Sequence, residues 1–187
     1  GDPESCSTLY YLYNLIIAKN MLDELESDST EIDKLIGNQK KIILDTFYDA
    51  ENIVFDGNSQ FSLSFALKLG VIPEKDIPTA VDKLVANIEA HGYHLTTGIL
   101  GTKYIMEVLR DSGRCDVAMK LLLQDTYPSW LDMTRGKTTL PEQWNGEKSQ
   151  NHCMFGSVDG ILYSKDKKAL ISYPSYKEDK VCTVDEA

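Results

Sequence analysis

Two successive helical patterns fill residues 1–47, which read GDPESCSTLYYLYNLIIAKNMLDELESDSTEIDKLIGNQKKIILDTF. Asp2 followed by Pro3 is typical of a helix start, because an aspartate side chain caps free amides and proline fits the first turn. Residues 9–18 are apolar or aromatic at every position except Asn14. A helix that is apolar on nearly every face must be covered on more than one side. The pattern therefore predicts an inner helix that extends to about residue 25.

The second pattern predicts an outer helix. Asp28 and Glu31 form a candidate capping box, in which side chains satisfy free amides at a helix start. The apolar residues that follow keep helical spacing while the lysines face away; they are Ile32, Leu35, Ile36, Ile43 and Phe47. Such an amphipathic helix packs through one side and exposes the other side to water.

The same alternation continues along the chain. We predict five further helices, at about residues 59–69, 78–91, 99–112, 115–124 and 154–163. Short loops between helices that are alternately apolar and amphipathic indicate an all-α fold of stacked helical hairpins, in an open solenoid or a closed ring. A fixed repeat of about 34 residues is absent, so a regular solenoid is the less favoured of the two.

Charge and composition argue against several classes of function. Lys and Arg number 19 against 29 Asp and Glu, which gives a net charge of −10, and the one basic cluster is at 165–168. The chain thus lacks the basic surface that nucleic acids require. No apolar run approaches the ~20 residues of a spanning helix, and the N-terminus lacks an export signal. We expect a soluble chain with no nucleic-acid or membrane partner, and its compartment stays open.

The cysteines argue against a metal centre. Cys6, Cys115, Cys153 and Cys182 are far apart, and none of them forms a C-x-x-C pair of the kind that zinc sites and redox motifs use. We interpret them as buried thiols, since free cysteine behaves as a small hydrophobe. The sequence accordingly predicts no metal and no cofactor.

The stretch 126–159, TYPSWLDMTRGKTTLPEQWNGEKSQNHCMFGSVD, breaks the helical rhythm. It gathers side chains of the kinds that recognise sugars: Trp130 and Trp144, the carboxylates Asp132, Glu142 and Glu147, and Arg135, Asn151 and His152. Loops on a rigid helical scaffold are where binding and chemistry usually lie. Its most informative segment is TTLPEQW at 138–144, because a carboxylate between hydroxyls and an indole suits the edge of a pyranose ring.

Five blocks of the chain carry a resemblance to a known family. They are YHLTTGILGT at 93–102, GRCDVA at 113–118, YPSW at 127–130, the group Thr138, Thr139, Glu142 and Trp144, and the pair NH at 151–152 with FGSV at 155–158. In order and spacing they look like the second half of the catalytic domain of bacterial α-L-rhamnosidases, over about residues 2–163. The resemblance implies part of an (α/α)6 toroid of six helical hairpins. It also implies hydrolysis of terminal α-L-rhamnose with inversion, by a carboxylic acid and a carboxylate base.

The resemblance assigns roles to individual residues. Glu142 matches the general base that activates water, His152 a histidine that binds rhamnose hydroxyls, and Trp144 an aromatic neighbour of the base. Trp130 is a further candidate for contact with the sugar. The alternatives are a solvated loop carboxylate for Glu142, a helix cap for His152, and a place in the core for both tryptophans.

The general acid of that family lies in a segment that has no counterpart in residues 1–187. We therefore interpret residues 1–163 as a partial catalytic domain, about half a ring with one of two catalytic carboxylates, and residues 164–187 as a charged tail. The expected partners are a rhamnose-containing glycoside and either a second copy of the chain or the other half of the domain. The isolated chain is expected to be inactive. Aglycone and linkage stay open.

A second function stays open beside the first. The chain could be a helical-hairpin module that binds sugars or proteins without chemistry. The catalytic hypothesis requires Glu142, Trp144 and His152 to share one concavity, because base, stacking ring and hydroxyl partner serve one pyranose. We predict that this concavity opens on the side where the third and fifth helices begin.

Overall fold

The computed structural model describes residues 2–158 and, for the backbone alone, residues 163–164, 169–171 and 181–182. The helices are α1 Pro3–Glu24, α2 Thr30–Phe47, α3 Gln60–Lys68, α4 Ile77–Ala90, α5 Ile99–Asp111, α6 Cys115–Leu122 and α7 Trp130–Met133. Short 3-10 helices lie at Asp56–Asn58, Glu74–Asp76 and Met154–Val158. The strands are β1 Tyr48–Asp49, β2 Val54–Phe55, β3 Tyr163–Ser164, β4 Ala169–Ile171 and β5 Val181–Cys182.

The start of α1 is as predicted, and the start of α2 is not. The Asp2 side chain accepts from the backbone amide of Glu4, as an N-cap should. At α2 the N-cap is Ser29, which makes no capping hydrogen bond. The carboxylate of Asp28 instead accepts from the backbone amide and the hydroxyl of Thr30, at 2.9 and 2.6 Å. The predicted capping box is therefore wrong, because a local turn uses the Asp28 carboxylate first.

Six helices pack as three hairpins, α1 with α2, α3 with α4, and α5 with α6, while α1, α3 and α5 contact one another in a row. Most residues of α3 and α5 are buried, whereas α4 buries one face only. This confirms the all-α fold of stacked hairpins with inner and outer helices. The inner helix α1 is the exception in its burial, since Leu9 and Leu12 are fully buried but Tyr11 and Met21 are 50% and 61% exposed.

Aromatic side chains join the three inner helices. Phe65 of α3 stacks on Tyr104 of α5 with ring centroids 4.1 Å apart, and Tyr10 of α1 meets Phe65 edge-on at 4.8 Å. Tyr13 and Phe61 complete the cluster at 5.8 and 5.5 Å from Phe65. Because Phe65 is fully buried at the centre, its ring holds the row of inner helices together.

Two features of the last part of the chain differ from the prediction. The seventh helix expected at 154–163 is wrong within the described residues, which form a short 3-10 helix at Met154–Val158; residues 159–162 lie outside them. A single helical turn at Trp130–Met133 was not predicted, although Ser129 caps it by accepting from the amide of Asp132 at 3.1 Å. The Ser-x-x-Asp spacing is a known start signal, so the sequence contained the information.

The strands form two small antiparallel sheets. β1 pairs with β2, Tyr48 opposite Phe55, around a tight turn. β4 lies between β3 and β5, with Leu170 opposite both Tyr163 and Cys182. The second sheet thus falls largely within the segment 164–187 that was interpreted as a charged tail.

The cysteines also differ from the prediction. Cys115, at the start of α6, is buried but disulfide-bonded, and Cys153 is an exposed thiol. Free and disulfide-bonded cysteines can both be buried, so an expectation of burial could not tell which cysteines form a disulfide. None of the helices that the structure describes is both long and apolar enough to cross a membrane.

Candidate functional site

A cleft of about 330 Å³ opens at the beginning of α5. It is lined by Gly98, Ile99, Tyr127, Glu142, Gln143, Trp144, Asn145 and Phe155. The loop after α6 supplies most of this lining, and the N-cap and first residue of α5 supply the opposite wall. Two predicted site residues, Glu142 and Trp144, therefore meet in one concavity.

Glu142 is fixed by a hairpin-like loop. Its backbone amide donates to the carbonyl of Ser149 at 2.8 Å, and its Oε2 accepts from the amide of Ser149 at 3.3 Å. In the same loop, the hydroxyl of Thr139 donates to the carbonyl of Gln150, the residue after Ser149. The side chain of Glu142 is partly exposed and borders the cleft. A carboxylate held in this way presents itself to water or to a ligand hydroxyl.

Trp144 combines the two roles that the sequence left open. It is only 9% exposed, and its ring centroid lies 4.0 Å from that of Phe155. Its indole Nε1 donates to the carbonyl of Thr97 at 2.6 Å, which satisfies the polar group of a buried aromatic. Most of the ring is therefore packed in the core, and the remainder forms part of the cleft wall.

Trp130 lies behind Trp144 and does not line the cleft. The two rings meet edge-to-face at 5.1 Å with an interplanar angle of 85°. The Trp130 Nε1 donates to the carbonyl of Phe155 at 2.9 Å. Trp130 thus packs against the aromatic wall without lining the cleft.

His152 lies near Glu142 along the loop, but its ring is not among the groups that line the cleft. Its backbone amide donates to the carbonyl of Leu140 at 2.8 Å, and its Nδ1 accepts from the amide of Met154 at 3.4 Å. The ring therefore helps to start the 3-10 helix at Met154. The structure brings Glu142 and Trp144 together and does not bring the His152 ring to the same wall. The predicted convergence is thus met for the candidate base and its aromatic neighbour, and the assignment of His152 as the hydroxyl partner is not supported.

The other polar residues that the sequence analysis singled out in this stretch also lie outside the cleft. Arg135 donates through Nη2 to the carbonyl of Asp125 at 3.1 Å, which ties two parts of the loop together. Asp132 lies on the turn of α7, and Asn151 is exposed. Within residues 2–158, no three His, Cys, Asp or Glu side chains are grouped so that they could hold a metal ion.

A second, wider cleft of about 430 Å³ adjoins the first and shares Gly98 and Ile99 with it. The remaining lining residues are Pro3, Cys6, Phe61, Thr96, Thr97, Leu100 and Gly101. It lies where α1, α3 and α5 begin, which is the side predicted for the site. Among the residues that line the two clefts, Glu142 is the single carboxylate.

Sequence reasoning missed several members of these walls. Tyr127, Phe155 and Gly98 belong to the blocks that carried the family resemblance, but no role was assigned to them. Gln143 and Asn145 flank Trp144 and were overlooked because neither amide fits a catalytic motif. Proximity to Glu142 in the chain was the one signal that could have found them.

Comparisons with known proteins agree on one family. A profile of the bacterial alpha-L-rhamnosidase 6 hairpin glycosidase domain matches residues 2–165. An alpha-L-rhamnosidase of Streptomyces avermitilis is 34% identical over 170 residues, which cover 84% of this chain and 16% of that protein. An alpha-L-rhamnosidase of Alteromonas sp. (strain LOR) is 33% identical over 149 residues, 67% of this chain and 16% of that protein. The chain thus spans about one sixth of the length of these relatives.

Solved structures give the same result. The Streptomyces avermitilis alpha-L-rhamnosidase complexed with L-rhamnose superposes with a TM-score of 0.77 and 32% identity, over 83% of this chain and 16% of that one. The alpha-L-rhamnosidase of Aspergillus terreus superposes with a TM-score of 0.74 over 80% of this chain and 19% of that one. At 22% identity the second match speaks for the fold alone.

Proposed function

Because the chain belongs to the family of bacterial α-L-rhamnosidase six-hairpin glycosidase domains, we propose that its Glu142 is the general base in the hydrolysis of terminal α-L-rhamnosides. The observation that carries the proposal is the position of this carboxylate, which borders an open cleft beside an aromatic wall. In an inverting reaction the base takes a proton from water, and that water attacks the anomeric carbon opposite the leaving group.

The contacts of Glu142 suit this role. The amide of Ser149 holds Oε2, so the carboxylate keeps one orientation while water and sugar exchange in the cleft. A base must lie within hydrogen-bond reach of the water proton that it removes, and a fixed carboxylate meets this condition without further ordering.

The walls around Glu142 suit the substrate. L-Rhamnose is a deoxy sugar with a methyl group, so part of its surface is apolar. Trp144, Phe155 and Tyr127 offer apolar faces in the same cleft, and the side-chain amides of Gln143 and Asn145 offer hydrogen bonds for hydroxyls. Mostly apolar walls with a few polar groups are typical of small-ligand sites.

The reaction needs a second carboxylic group to protonate the leaving oxygen. In inverting glycosidases the two carboxyl groups are about 6.5–9.5 Å apart, and the gap holds the attacking water. Because Glu142 is the single carboxylate lining the two clefts, the proposal requires the acid to come from a segment outside these walls. Since the resemblance places that acid in a segment with no counterpart in residues 1–187, we expect binding, and not turnover, from this chain alone.

A segment exchange tests the proposal. Residues 2–165 would replace the matching segment of the Streptomyces avermitilis alpha-L-rhamnosidase, and release of the aryl group from an aryl α-L-rhamnoside would be measured. We expect Glu142→Gln to lower kcat by ~10²–10⁴-fold, the usual contribution of a general base. The matched control is Glu147→Gln, since Glu147 is exposed and does not line the cleft. Equal rates for the two variants of an active chimera would contradict the assignment.

The second candidate is a sugar-binding module without chemistry. The observation in its favour is again the single carboxylate in the two clefts. It predicts that the chain binds L-rhamnose, and that an otherwise folded chimera stays inactive whatever residue occupies position 142.

A further inference from the structure

Gln60 is the first residue of α3, and its side chain is fully buried. Its Nε2 donates to the carbonyl of His94 at 3.1 Å, and its Oε1 accepts from the amide of Thr96 at 2.9 Å. The nitrogen and the oxygen of the side-chain amide thus both bind the backbone of one short segment, residues 94–96. Gln60 is fully buried, so leaving its amide groups without these partners would be costly, and the clamp therefore holds the segment against α3.

The clamped segment carries the acceptor that holds Trp144. The carbonyl of Thr97, next to Thr96, accepts from the Trp144 indole at 2.6 Å. The residue after it, Gly98, lines the cleft that contains Glu142. Two hydrogen bonds from Gln60 to residues 94–96, and the backbone of Thr97 and Gly98 that follows, therefore connect Gln60 to both the aromatic wall and the opposite wall of the cleft.

The packing around the segment leaves it little freedom to shift. A Cβ placed on Gly101 would lie 2.8 Å from the Phe61 ring and 2.9 Å from the Thr97 Cβ, so α5 approaches the segment as closely as glycine allows. In addition, Nε2 of His94 lies 2.9 Å from the hydroxyl of Thr126, in the loop after α6. Gln60 thus fixes the backbone of 94–96 in the position in which it also packs against α5 and the loop after α6.

We propose that Gln60 is a positioning residue of the cleft. By fixing the backbone of 94–96 it places the Thr97 carbonyl, and through that carbonyl it places the Trp144 indole beside Glu142. Any effect of Gln60 on sugar binding rests on the proposed function. Its effect on the position of the Trp144 indole does not depend on that function.

The test compares Gln60→Met with Gln60→Glu in the 187-residue chain. Methionine keeps the approximate volume but neither accepts nor donates. A protonated glutamate replaces glutamine well, since its carbonyl accepts from Thr96 and its O–H donates to His94. An ionised glutamate cannot donate. Near pH 5 a buried glutamate stays protonated because burial raises its pKa above the usual value of about 4.3. The higher pH of the comparison is one above that raised pKa, where the glutamate is ionised.

The readout is hydrogen exchange of the two indole N–H groups by NMR, with Trp130→Phe used to assign them. The Trp130 indole donates to the carbonyl of Phe155 and serves as internal reference at each pH. We expect Gln60→Met to displace the Thr97 carbonyl and so weaken the one hydrogen bond of the Trp144 indole. The exchange rate of the Trp144 N–H should then rise about tenfold relative to that of Trp130, as for the loss of one hydrogen bond. Gln60→Glu should do so at the higher pH only. Gln39→Met, on the outer helix α2, should leave the ratio unchanged.

Three results would overturn the proposal: an unchanged ratio in Gln60→Met, equal acceleration of both indoles, or a ratio in Gln60→Glu that does not depend on pH. If Gln60→Met fails to fold, the pH pair of Gln60→Glu decides alone. Titration with L-rhamnose separates the two proposals. An unmodified chain that ignores L-rhamnose counts against the sugar site, while the exchange ratios still decide the role of Gln60.

Discussion

Replacing Phe65 by alanine should loosen the contact between all three inner helices. The side chain is fully buried, and its ring lies 4.1 Å from Tyr104 of α5 and 4.8 Å from Tyr10 of α1, measured between centroids. No other ring in the described cluster touches both neighbouring inner helices at such short range. The Phe65 side chain thus contacts both of the inner helices that flank α3.

The magnitude follows from burial and from the ring pairs. Truncating a fully buried phenylalanine to alanine lowers the free energy of unfolding by about 3–5 kcal/mol. Aromatic pairs add about 0.5–1.5 kcal/mol each beyond the buried area. We therefore expect Phe65→Ala to cost about 5 kcal/mol, which is a large share of the ~5–15 kcal/mol that holds an ordinary domain together.

Urea unfolding followed by circular dichroism measures this loss by linear extrapolation. Phe65→Leu keeps most of the apolar volume and should cost only about 1–2 kcal/mol. Tyr11→Ala removes an aromatic ring from the exposed side of α1 and should stay within about 0.5 kcal/mol of the unmodified chain. If Phe65→Ala were no more destabilising than Tyr11→Ala, the aromatic cluster would not be what joins the inner helices.

Three further predictions follow from other parts of the molecule. Burial opposes ionisation of Asp56, but hydrogen bonds from Ser5 and Ser62 outweigh it and hold the pKa of Asp56 below its usual value. Its carboxylate therefore stabilises the fold above the unfolded pKa of about 3.9, and this contribution is lost as the pH falls through the lower folded value. Asp56→Asn should thus lower the urea midpoint at neutral pH, with a difference that shrinks in acid; a constant difference would refute the linkage. The apolar residues exposed on α1 should make the chain self-associate, and a clean monomer in light scattering would contradict this. The isolated chain should release no product from an aryl α-L-rhamnoside, and turnover of ~1 per second or more would show that it contains its own acid.

Much of the helical architecture could be predicted from local patterns. The Asp2 and Pro3 signal placed the start of α1 to the residue, because a cap and a first-turn proline depend on neighbours in the chain alone. The alternation of apolar and amphipathic helices predicted stacked hairpins with inner and outer members, and the structure confirms this arrangement. The predicted cap of α2 was wrong because the Asp28 carboxylate accepts from the nearby amide of Thr30 and does not cap the helix.

The cleft was less predictable than the helices around it. Glu142 and Trp144 were found through the family blocks, since their short spacing in the chain keeps them together in space. Gln60 could not be found, because its role depends on a contact with residues 94–96 that no local pattern records. The side chain of His152 was expected in the cleft, yet its Nδ1 accepts from the amide of Met154, a local hydrogen bond that the sequence also permits.

Azide rescue tests the central claim about Glu142 most directly. In the chimera with the Streptomyces avermitilis enzyme, Glu142→Ala removes the base and opens space beside the anomeric carbon. Azide is a nucleophile that needs no deprotonation, so it can take the place of the activated water and form the new bond as the aglycone departs. We predict that azide restores release of the aglycone and that the product is the β-L-rhamnosyl azide, with inverted configuration. A rate that azide leaves unchanged, or an azide product of α configuration, would contradict the role of Glu142 as the general base.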